Sequence, residues 1–153
     1  MSNRLTLTLD PQALATELSG HHLINGEMVP AKSGKTFDVI NPATGDVIAQ
    51  AAEGDATDVE AAVAAAKAAQ VEWAKMSGRQ RGKLIGECGA LLTAHAEEIG
   101  RLIALETGKA LRTESRVEAG VLADAFHFHA GLGSELKGET IPFSPDMLTL
   151  TVR

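Results

Sequence analysis

Aromatic residues and cysteine are scarce in this sequence. It contains four Phe, one Trp and no Tyr among 153 residues, and a single Cys. The core must therefore come from Leu, Ile, Val and Ala, which bury less apolar area per side chain than aromatic rings do. One Cys excludes an internal disulfide framework and suits a reducing compartment.

Basic clusters and long apolar runs are also missing. The net charge is -6 and the pI is about 5.3, which argues against nucleic acid or an anionic membrane surface as a partner, because both require a basic face. No apolar run approaches the roughly 20 residues of a membrane span, and the N-terminus lacks the zones of a signal peptide. We therefore expect a cytoplasmic protein with neither nucleic-acid nor membrane partners.

A helix over residues 55–76 is the clearest element that the sequence predicts. Ala predominates in it, and neither Gly nor Pro interrupts it, so its helix propensity is high. Thr57 and Glu60 fit a capping box at its start. Apolar residues at steps of three and four form one stripe: Val59, Ala62, Ala66, Ala69, Trp73 and Met76. Such small side chains allow close approach, so we expect this helix to pack against a larger body.

Two β-hairpins are predicted before this helix. Asn25-Gly26 supplies the positive backbone angles of a tight turn within residues 23–29, and the turn-forming segment 41–45 separates strands at 36–40 and 46–51. Further upstream, a weak strand pattern at 4–9 precedes a short helix to residue 18, for which Asp10-Pro11 provides the N-cap and first position.

Three helices and a strand are predicted after it. The helices cover about residues 77–94, 97–106 and 113–136, the first opened by a capping box of Ser77 and Gln80. A stripe from Val117 to Leu136 marks the buried face of the last helix. Residues 147–152 alternate apolar and polar side chains, as a strand with one apolar face does. The Pro-containing segment 141–146 before it indicates a change of direction.

The residue types that carry chemistry do not converge on an active site. Cys88 lies in mid-helix on the face of Leu84 and Leu91, which predicts a small buried side chain and no nucleophile. His127 and His129 lie two apart on a helix and point to nearly opposite sides, so a metal pair is not expected. The adjacent His21 and His22 on a strand likewise face opposite ways.

Glycines in the helices favour packing over cofactor binding. Gly131 and Gly133 could begin a G-x-G-x-x-G loop, but Leu136 occupies the third glycine position and no strand precedes the segment. Glycines 82, 86 and 89 are interpreted as points of close packing between helices. No acid/base pair and no nucleophile elbow is present.

Six motifs stand in an order and at spacings that resemble the N-terminal part of the NAD(P)-dependent aldehyde dehydrogenase superfamily. The similarity covers nearly the whole chain from about residue 21 onward, but only the first third or so of a family subunit. In chain order the motifs are LINGE at 23–27, VINPATGDVI at 39–48, the Ala-rich helix with Trp73, RQR at 79–81, LETGK at 105–109 and GETIP at 138–142.

The resemblance implies an incomplete α/β fold. Residues 1–20 would form an N-terminal arm. Residues 21–140 would form part of a Rossmann-like cofactor-binding domain, with two β-hairpins followed by four helices. Residues 141–153 would begin the bridging sheet that such enzymes use for oligomerisation.

The resemblance also implies a function for the parent enzyme. The family oxidises an aldehyde to a carboxylic acid through a Cys thiohemiacetal and hydride transfer to NAD or NADP. The family's nucleophilic Cys, Glu base, cofactor turn and oxyanion Asn have no counterpart here, and Cys88 stands in the wrong motif. We expect a fragment that is inactive by itself and binds no cofactor, with the remainder of the subunit as one partner and a homo-oligomer formed through residues 147–153.

One possible metal site follows from the same resemblance. Some members bind a monovalent cation through backbone carbonyls at the positions of Val39 and Ile40 and through an acidic side chain at the position of Glu106. Oxygen donors of this kind suit a hard cation. A surface Glu near a helix end is the simpler interpretation of Glu106.

A different class of function stays open beside this one. The chain could be a stand-alone, non-catalytic assembly module that pairs through Leu148, Leu150 and Val152. The alternating strand that runs to residue 153 favours a fragment. Aldehyde oxidation by the purified chain would distinguish an inert segment from an enzyme.

Overall fold

The computed structural model describes residues 9–152, which form an incomplete α/β fold. Within that range a π-helical turn, Leu111–Ser115, leads directly into the last helix. None of the described helices is both long and apolar enough to cross a membrane. The strand predicted at 4–9 lies almost wholly outside the described residues. The elements are α1 Pro11–Leu18, β1 His22–Ile24, β2 Glu27–Val29, β3 Thr36–Ile40, β4 Val47–Ala52, α2 Ala56–Lys75, α3 Gly78–Ala94, α4 Ala96–Thr107, α5 Arg116–Leu132, β5 Thr140–Ser144 and β6 Met147–Leu150.

The two predicted hairpins are confirmed. Strands β1 and β2 pair in antiparallel fashion around Asn25 and Gly26, whose φ angles of 55° and 77° are both positive, as the tight turn requires. Strands β3 and β4 pair around a longer turn in which Asn41 Oδ1 accepts a hydrogen bond of 2.9 Å from the Ala43 amide. A register shift interrupts the β3–β4 ladder between Val39 and Ile40.

The last strand has a partner that the sequence did not reveal. Strand β6 ends at Leu150, two residues earlier than predicted, and it pairs with β5, so that Thr140 lies opposite Leu150. The change of direction predicted within 141–146 is confirmed by the turn at Pro145 and Asp146, but the strand that contains Pro142 was not predicted. An outer strand tolerates Pro because one side of its backbone needs no ladder partner, and the register shifts between Ile141 and Ser144.

Helix α2 begins where predicted but with a different cap. Asp55 is the N-cap, and its Oδ1 accepts hydrogen bonds from the amides of Thr57 and Asp58, at 2.8 and 3.4 Å. Asp58 Oδ2 completes the capping box by accepting one from the Asp55 amide at 3.0 Å. The capping box predicted for Thr57 and Glu60 is wrong, because the chain is already helical at Ala56.

Within the described residues, the apolar stripe of α2 is only partly covered. Ala62, Ala66 and Ala69 line an open groove with the β1–β2 turn, and Trp73 and Met76 are half-buried. Val59 is 61% exposed, the alanines of the stripe are exposed, and the one buried residue of the helix is Asp58 near its start. Asp58 Oδ1 accepts a 2.9 Å hydrogen bond from the Lys32 amide, which lies between β2 and β3. The N-terminal corner of α2 is therefore its main attachment to the hairpins.

Helices α3 and α5 pack through the predicted glycines. A Cβ atom on Gly82 would lie 2.5 Å from the Ala130 carbonyl oxygen, and one on Gly89 would lie 2.9 Å from the His127 ring. Gly86 is in ordinary contact, 3.6 Å from Ala130 Cβ. The interpretation of these glycines as close-packing points is confirmed.

The last helix differs from its prediction in length and in its buried face. Helix α5 ends at Leu132 and not near residue 136. Ala119 and Ala123 are buried in it, whereas Val117 and Val121 of the predicted stripe are 57% and 60% exposed. The small residues are buried because α3 and α4 approach α5 closely, and the larger residues remain on the opposite side.

Candidate functional site

A groove between the N-terminal helix and the second hairpin contains two of the predicted site residues. We call it the Glu106 groove; it has a volume of about 160 Å3 and involves α1, β3, β4 and α4. Val39 and Glu106 both line it, and Ile40 is not among its lining residues. The full lining consists of Ala15, Leu18, Ser19, Val39, Ile48, Ala49, Gln50, Ala51, Leu102 and Glu106.

Helix α1 forms one wall because it is fixed to strand β4. Asp10 caps the helix by accepting from the Gln12 amide at 3.0 Å. Gln12 Nε2 donates to the Ile48 carbonyl at 2.7 Å, and Ser19 Oγ donates to the Gln50 carbonyl at 3.0 Å. Leu14 is 2% exposed. These bonds at both ends hold α1 across the strand.

Strand β3 contributes Val39 to the groove, beside an irregularity in its pairing with β4. The register shift between Val39 and Ile40 is a β-bulge or a similar irregularity. A bulge leaves backbone groups without their regular ladder partners. The register skips Ile48, so the extra residue lies on β4, and Val39 and Ile40 on β3 pair on either side of it with Ala49 and Val47.

Helix α4 presents its C-terminal end to the same groove. Glu106 lies in the last turn of the helix, is exposed, and is the sole ionisable residue among the groove's lining residues. Carbonyl groups at a helix C-terminus carry partial negative charge. The carboxylate and the helix end together favour a cation at this end of the groove.

The single cysteine is not buried as predicted. Cys88 is exposed on α3. The face that it shares with Leu84 and Leu91 points away from α5, because the glycines of α3 form the opposite, packed face; Leu84 and Leu91 are 40% and 63% exposed. The prediction failed because it assigned burial to the apolar side of the helix.

The histidines have separate surroundings. The His127 ring packs on Gly89, with Nε2 3.4 Å from Thr93 Oγ1, whereas His129 Nδ1 lies 2.7 Å from the Ala125 carbonyl oxygen. His21 Nδ1 lies 2.6 Å from the Ser19 carbonyl oxygen, and His22 packs against Gly54. Residues 9–152 contain no group of three or more His, Cys, Asp or Glu side chains that could hold a metal ion.

An ion cluster between α4 and α5 was not predicted. Glu97 accepts from Arg116 Nε and Nη2 at 2.7 and 2.8 Å and from Arg101 Nε at 2.8 Å. The two hydrogen bonds from Arg116, and then the one from Arg101, lower the pKa of Glu97 to about 2. The i,i+4 spacing of Glu97 and Arg101 could have indicated half of this cluster.

The comparisons with known proteins identify the class to which this α/β segment belongs. The model of the aldehyde dehydrogenase family matches residues 28–153. The mitochondrial benzaldehyde dehydrogenase of Antirrhinum majus is 41% identical over 122 residues, which are 78% of this chain and 23% of that protein. The chain therefore belongs to the aldehyde dehydrogenase family, and it spans about a quarter of that relative's length.

Solved structures agree with this assignment. The NAD+ complex of aldehyde dehydrogenase from Bacillus cereus is 33% identical, with a TM-score of 0.84 over 97% of this chain and 30% of that chain. A double mutant of betaine aldehyde dehydrogenase from Staphylococcus aureus, also in complex with NAD+, is 33% identical with a TM-score of 0.77 over 90% of this chain and 28% of that chain. The described fold is thus about three tenths of such a subunit.

Proposed function

We propose that this chain supplies the N-terminal part of an NAD(P)-dependent aldehyde dehydrogenase and is inactive by itself. The observation that carries this proposal is the structural match, which includes 97% of this chain but 30% of an NAD+-binding relative. The residues that perform thiohemiacetal formation and hydride transfer would come from outside residues 1–153, and Cys88, exposed on α3, would take no part.

The exposed apolar surface supports a missing partner body. Strand β6 exposes Met147 and Leu148 at 58% and 78%, and α3 exposes Leu91 at 63%. Exposed apolar patches of this kind mark interaction surfaces. The remainder of the subunit would cover the helices, and the free edge of the β5–β6 hairpin would pair with another strand in an assembled homo-oligomer.

The test compares this chain with the polypeptide in which it occurs in the cell. The intact mass of that polypeptide comes first, since the 153 residues account for 16.0 kDa. NADH or NADPH formation from an aldehyde is then measured for both. We expect turnover by a longer polypeptide and none by the 153 residues alone; robust turnover by the chain alone would show that it is not an inert segment.

We also propose that the Glu106 groove holds a monovalent cation. The donors suit such an ion: Val39 lines the groove together with its single ionisable residue, which is an acid, and Ile40 follows Val39 in the strand. When bound, the cation would balance the charge of Glu106 and tie the β3–β4 turn to the end of α4. In this chain water would supply the remaining ligands, and in a longer polypeptide other residues could replace some of that water.

A charge-neutral variant tests the cation proposal. Glu106→Gln keeps the size of the side chain and removes its charge, so the dependence of the melting temperature on KCl or NaCl should weaken. Ionic strength is held constant with tetramethylammonium chloride, and Glu60→Gln, at an exposed position on α2, is the control. Equal cation dependence in the wild type and in Glu106→Gln would contradict the proposal.

A further inference from the structure

Pro42 packs against Gly108 where the β3–β4 turn meets the end of α4. A Cβ atom on Gly108 would lie 2.8 Å from Pro42 Cγ, closer than real Cβ atoms come to a neighbour. The same atom would be 3.7 Å from Pro42 Cβ and 4.0 Å from Pro42 Cδ, which are ordinary contacts. The turn and the helix end therefore touch through one corner of a proline ring, with no room for a methyl group.

Gly108 also has a backbone conformation that favours glycine. Its φ is 73°, and its amide donates to the Ala104 carbonyl at 3.0 Å to close the end of α4. Gly34 has a similar φ of 68°, but nothing lies within 4 Å of the position of its Cβ. An Ala at either position would strain the backbone, whereas only an Ala at position 108 would also collide with Pro42. Comparing the two substitutions therefore separates the effect of strain from the effect of the collision.

Both members of this contact lie two residues from a donor of the proposed cation site. Pro42 lies two positions after Ile40, and Gly108 lies two positions after Glu106. The short segments between them are held by local hydrogen bonds: the Asn41 amide donates to the Asp46 carbonyl at 2.9 Å, and Thr107 Oγ1 donates to the Ile103 carbonyl at 2.7 Å. Because these segments are short and locally bonded, we expect a displacement of Pro42 relative to Gly108 to change the separation between the carbonyl groups of β3 and the carboxylate.

We propose that the Pro42–Gly108 contact is the spacer that sets the separation between the carbonyl oxygens at 39–40 and the carboxylate of Glu106. This inference rests on the proposed cation site and assigns Pro42 and Gly108 as its positioning residues. Neither residue supplies a ligand. Groups that orient ligands commonly change metal affinity by 10–100-fold when they are replaced.

The experiment measures cation affinity and thermal stability separately in the full chain. KCl and NaCl are titrated at constant ionic strength, and the cation dissociation constant is obtained from the shift in melting temperature. Gly108→Ala should weaken cation affinity by roughly tenfold or more. Gly34→Ala should lower the melting temperature without cation but leave the affinity unchanged, because it adds strain at a distance from the groove.

A second substitution then tests whether the collision with Pro42 causes the loss of affinity. Pro42→Ala removes Cγ and retains Cβ, so the double variant Gly108→Ala/Pro42→Ala should recover most of the lost affinity. Pro42→Ala alone removes the spacer without any collision and should weaken affinity by a few-fold; it decides the question if Gly108→Ala does not fold.

The possible results distinguish a failure of the spacer proposal from a failure of the cation-site proposal. An affinity that is unchanged in Pro42→Ala, or lowered equally by Gly108→Ala and Gly34→Ala, would overturn the spacer and leave the cation site standing. A wild-type chain that responds to neither KCl nor NaCl would overturn the proposed site and the spacer with it.

Discussion

Helix α2 and the α3–α5 pair both contain many small residues, but they are packed to very different extents. Gly82 and Gly89 of α3 are buried against α5, whereas the alanines of the α2 stripe stay exposed within the described residues. Small side chains permit close approach but do not supply a partner. Glycine lets two backbones touch, and the contact between α3 and α5 is made within the described residues. The β1–β2 turn, by contrast, covers the α2 stripe only in part.

The comparison predicts the largest effect at Gly82. Gly82→Ala places a methyl group 2.5 Å from the backbone oxygen of Ala130, so α3 and α5 must separate, and we expect the free energy of unfolding to fall by about 2 kcal/mol. Gly86→Ala on the same helix meets only Ala130 Cβ at 3.6 Å and should be neutral or stabilising by up to about 1 kcal/mol. Urea denaturation followed by circular dichroism measures both, and equal destabilisation would refute the close-packing account.

A second prediction concerns the attachment of α2. Asp58→Ala leaves the amides of Lys32 and Asp55 without their acceptor, so hydrogen exchange at the Lys32 amide should accelerate by roughly tenfold. Asp58→Asn keeps one acceptor oxygen and should give a smaller increase. Unchanged exchange in Asp58→Ala would mean that α2 is held by other contacts.

A third prediction concerns the loss of stability at low pH, and it tests the contact between α4 and α5. The pKa of Glu97 is lowered from 4.5 to about 2, first by Arg116 and then by Arg101, so the charged form is favoured in the folded state. Its contribution is fully present above about pH 4.5 and is lost as the pH falls towards about 2. Glu97→Gln should flatten the loss of stability over that window.

A matched control makes this third test specific. Glu60→Gln changes an exposed glutamate on α2 and should leave the acid limb close to that of the wild type. The measurement is the urea midpoint at several pH values. If Glu97→Gln and Glu60→Gln gave parallel acid limbs, the cluster would not be the source of the acid sensitivity.

The smallest effect is expected on the exposed stripe of α2. Ala66→Leu enlarges the exposed stripe of α2 and should change the free energy of unfolding of this chain by no more than about 0.5 kcal/mol, as at other surface positions. In a longer polypeptide that covers the stripe, the same change should cost about 1–3 kcal/mol, whereas Ala68→Leu, off the stripe, should not. Equal tolerance of both changes in the longer polypeptide would show that the stripe stays uncovered.

Local signals in the sequence predicted most of the local structure, and the capping box of Thr57 and Glu60 is the exception. The Asn25-Gly26 turn and the capping box of Ser77 and Gln80 are confirmed, because a turn or a cap depends on residues a few positions apart. The exposure of Cys88 and the buried face of α5 were not predictable in the same way. Burial depends on which helix approaches from which side, and the larger apolar residues of α5, such as Val117 and Val121, are exposed within the described residues.

The candidate site was predictable only in part. The resemblance to the family selected Val39 and Glu106, which line one groove, although they lie far apart in sequence. Arg101 follows Glu97 at i,i+4, but Arg116 reaches it from another helix. No spacing rule predicts that second contact.

The pairing of neighbouring strands has a consequence during protein synthesis. Each of the three described sheets joins consecutive strands, and a β-hairpin forms in about 1–10 μs. Ribosomes add about 5–20 residues per second, so each hairpin can begin to form as soon as its second strand emerges. Helix α1, by contrast, must wait for α4, about 80 residues later and roughly 4–16 s by the same rate. Until α4 emerges, β4 is the other element against which α1 packs, so the burial of α1 is completed later than the pairing of any hairpin before α4.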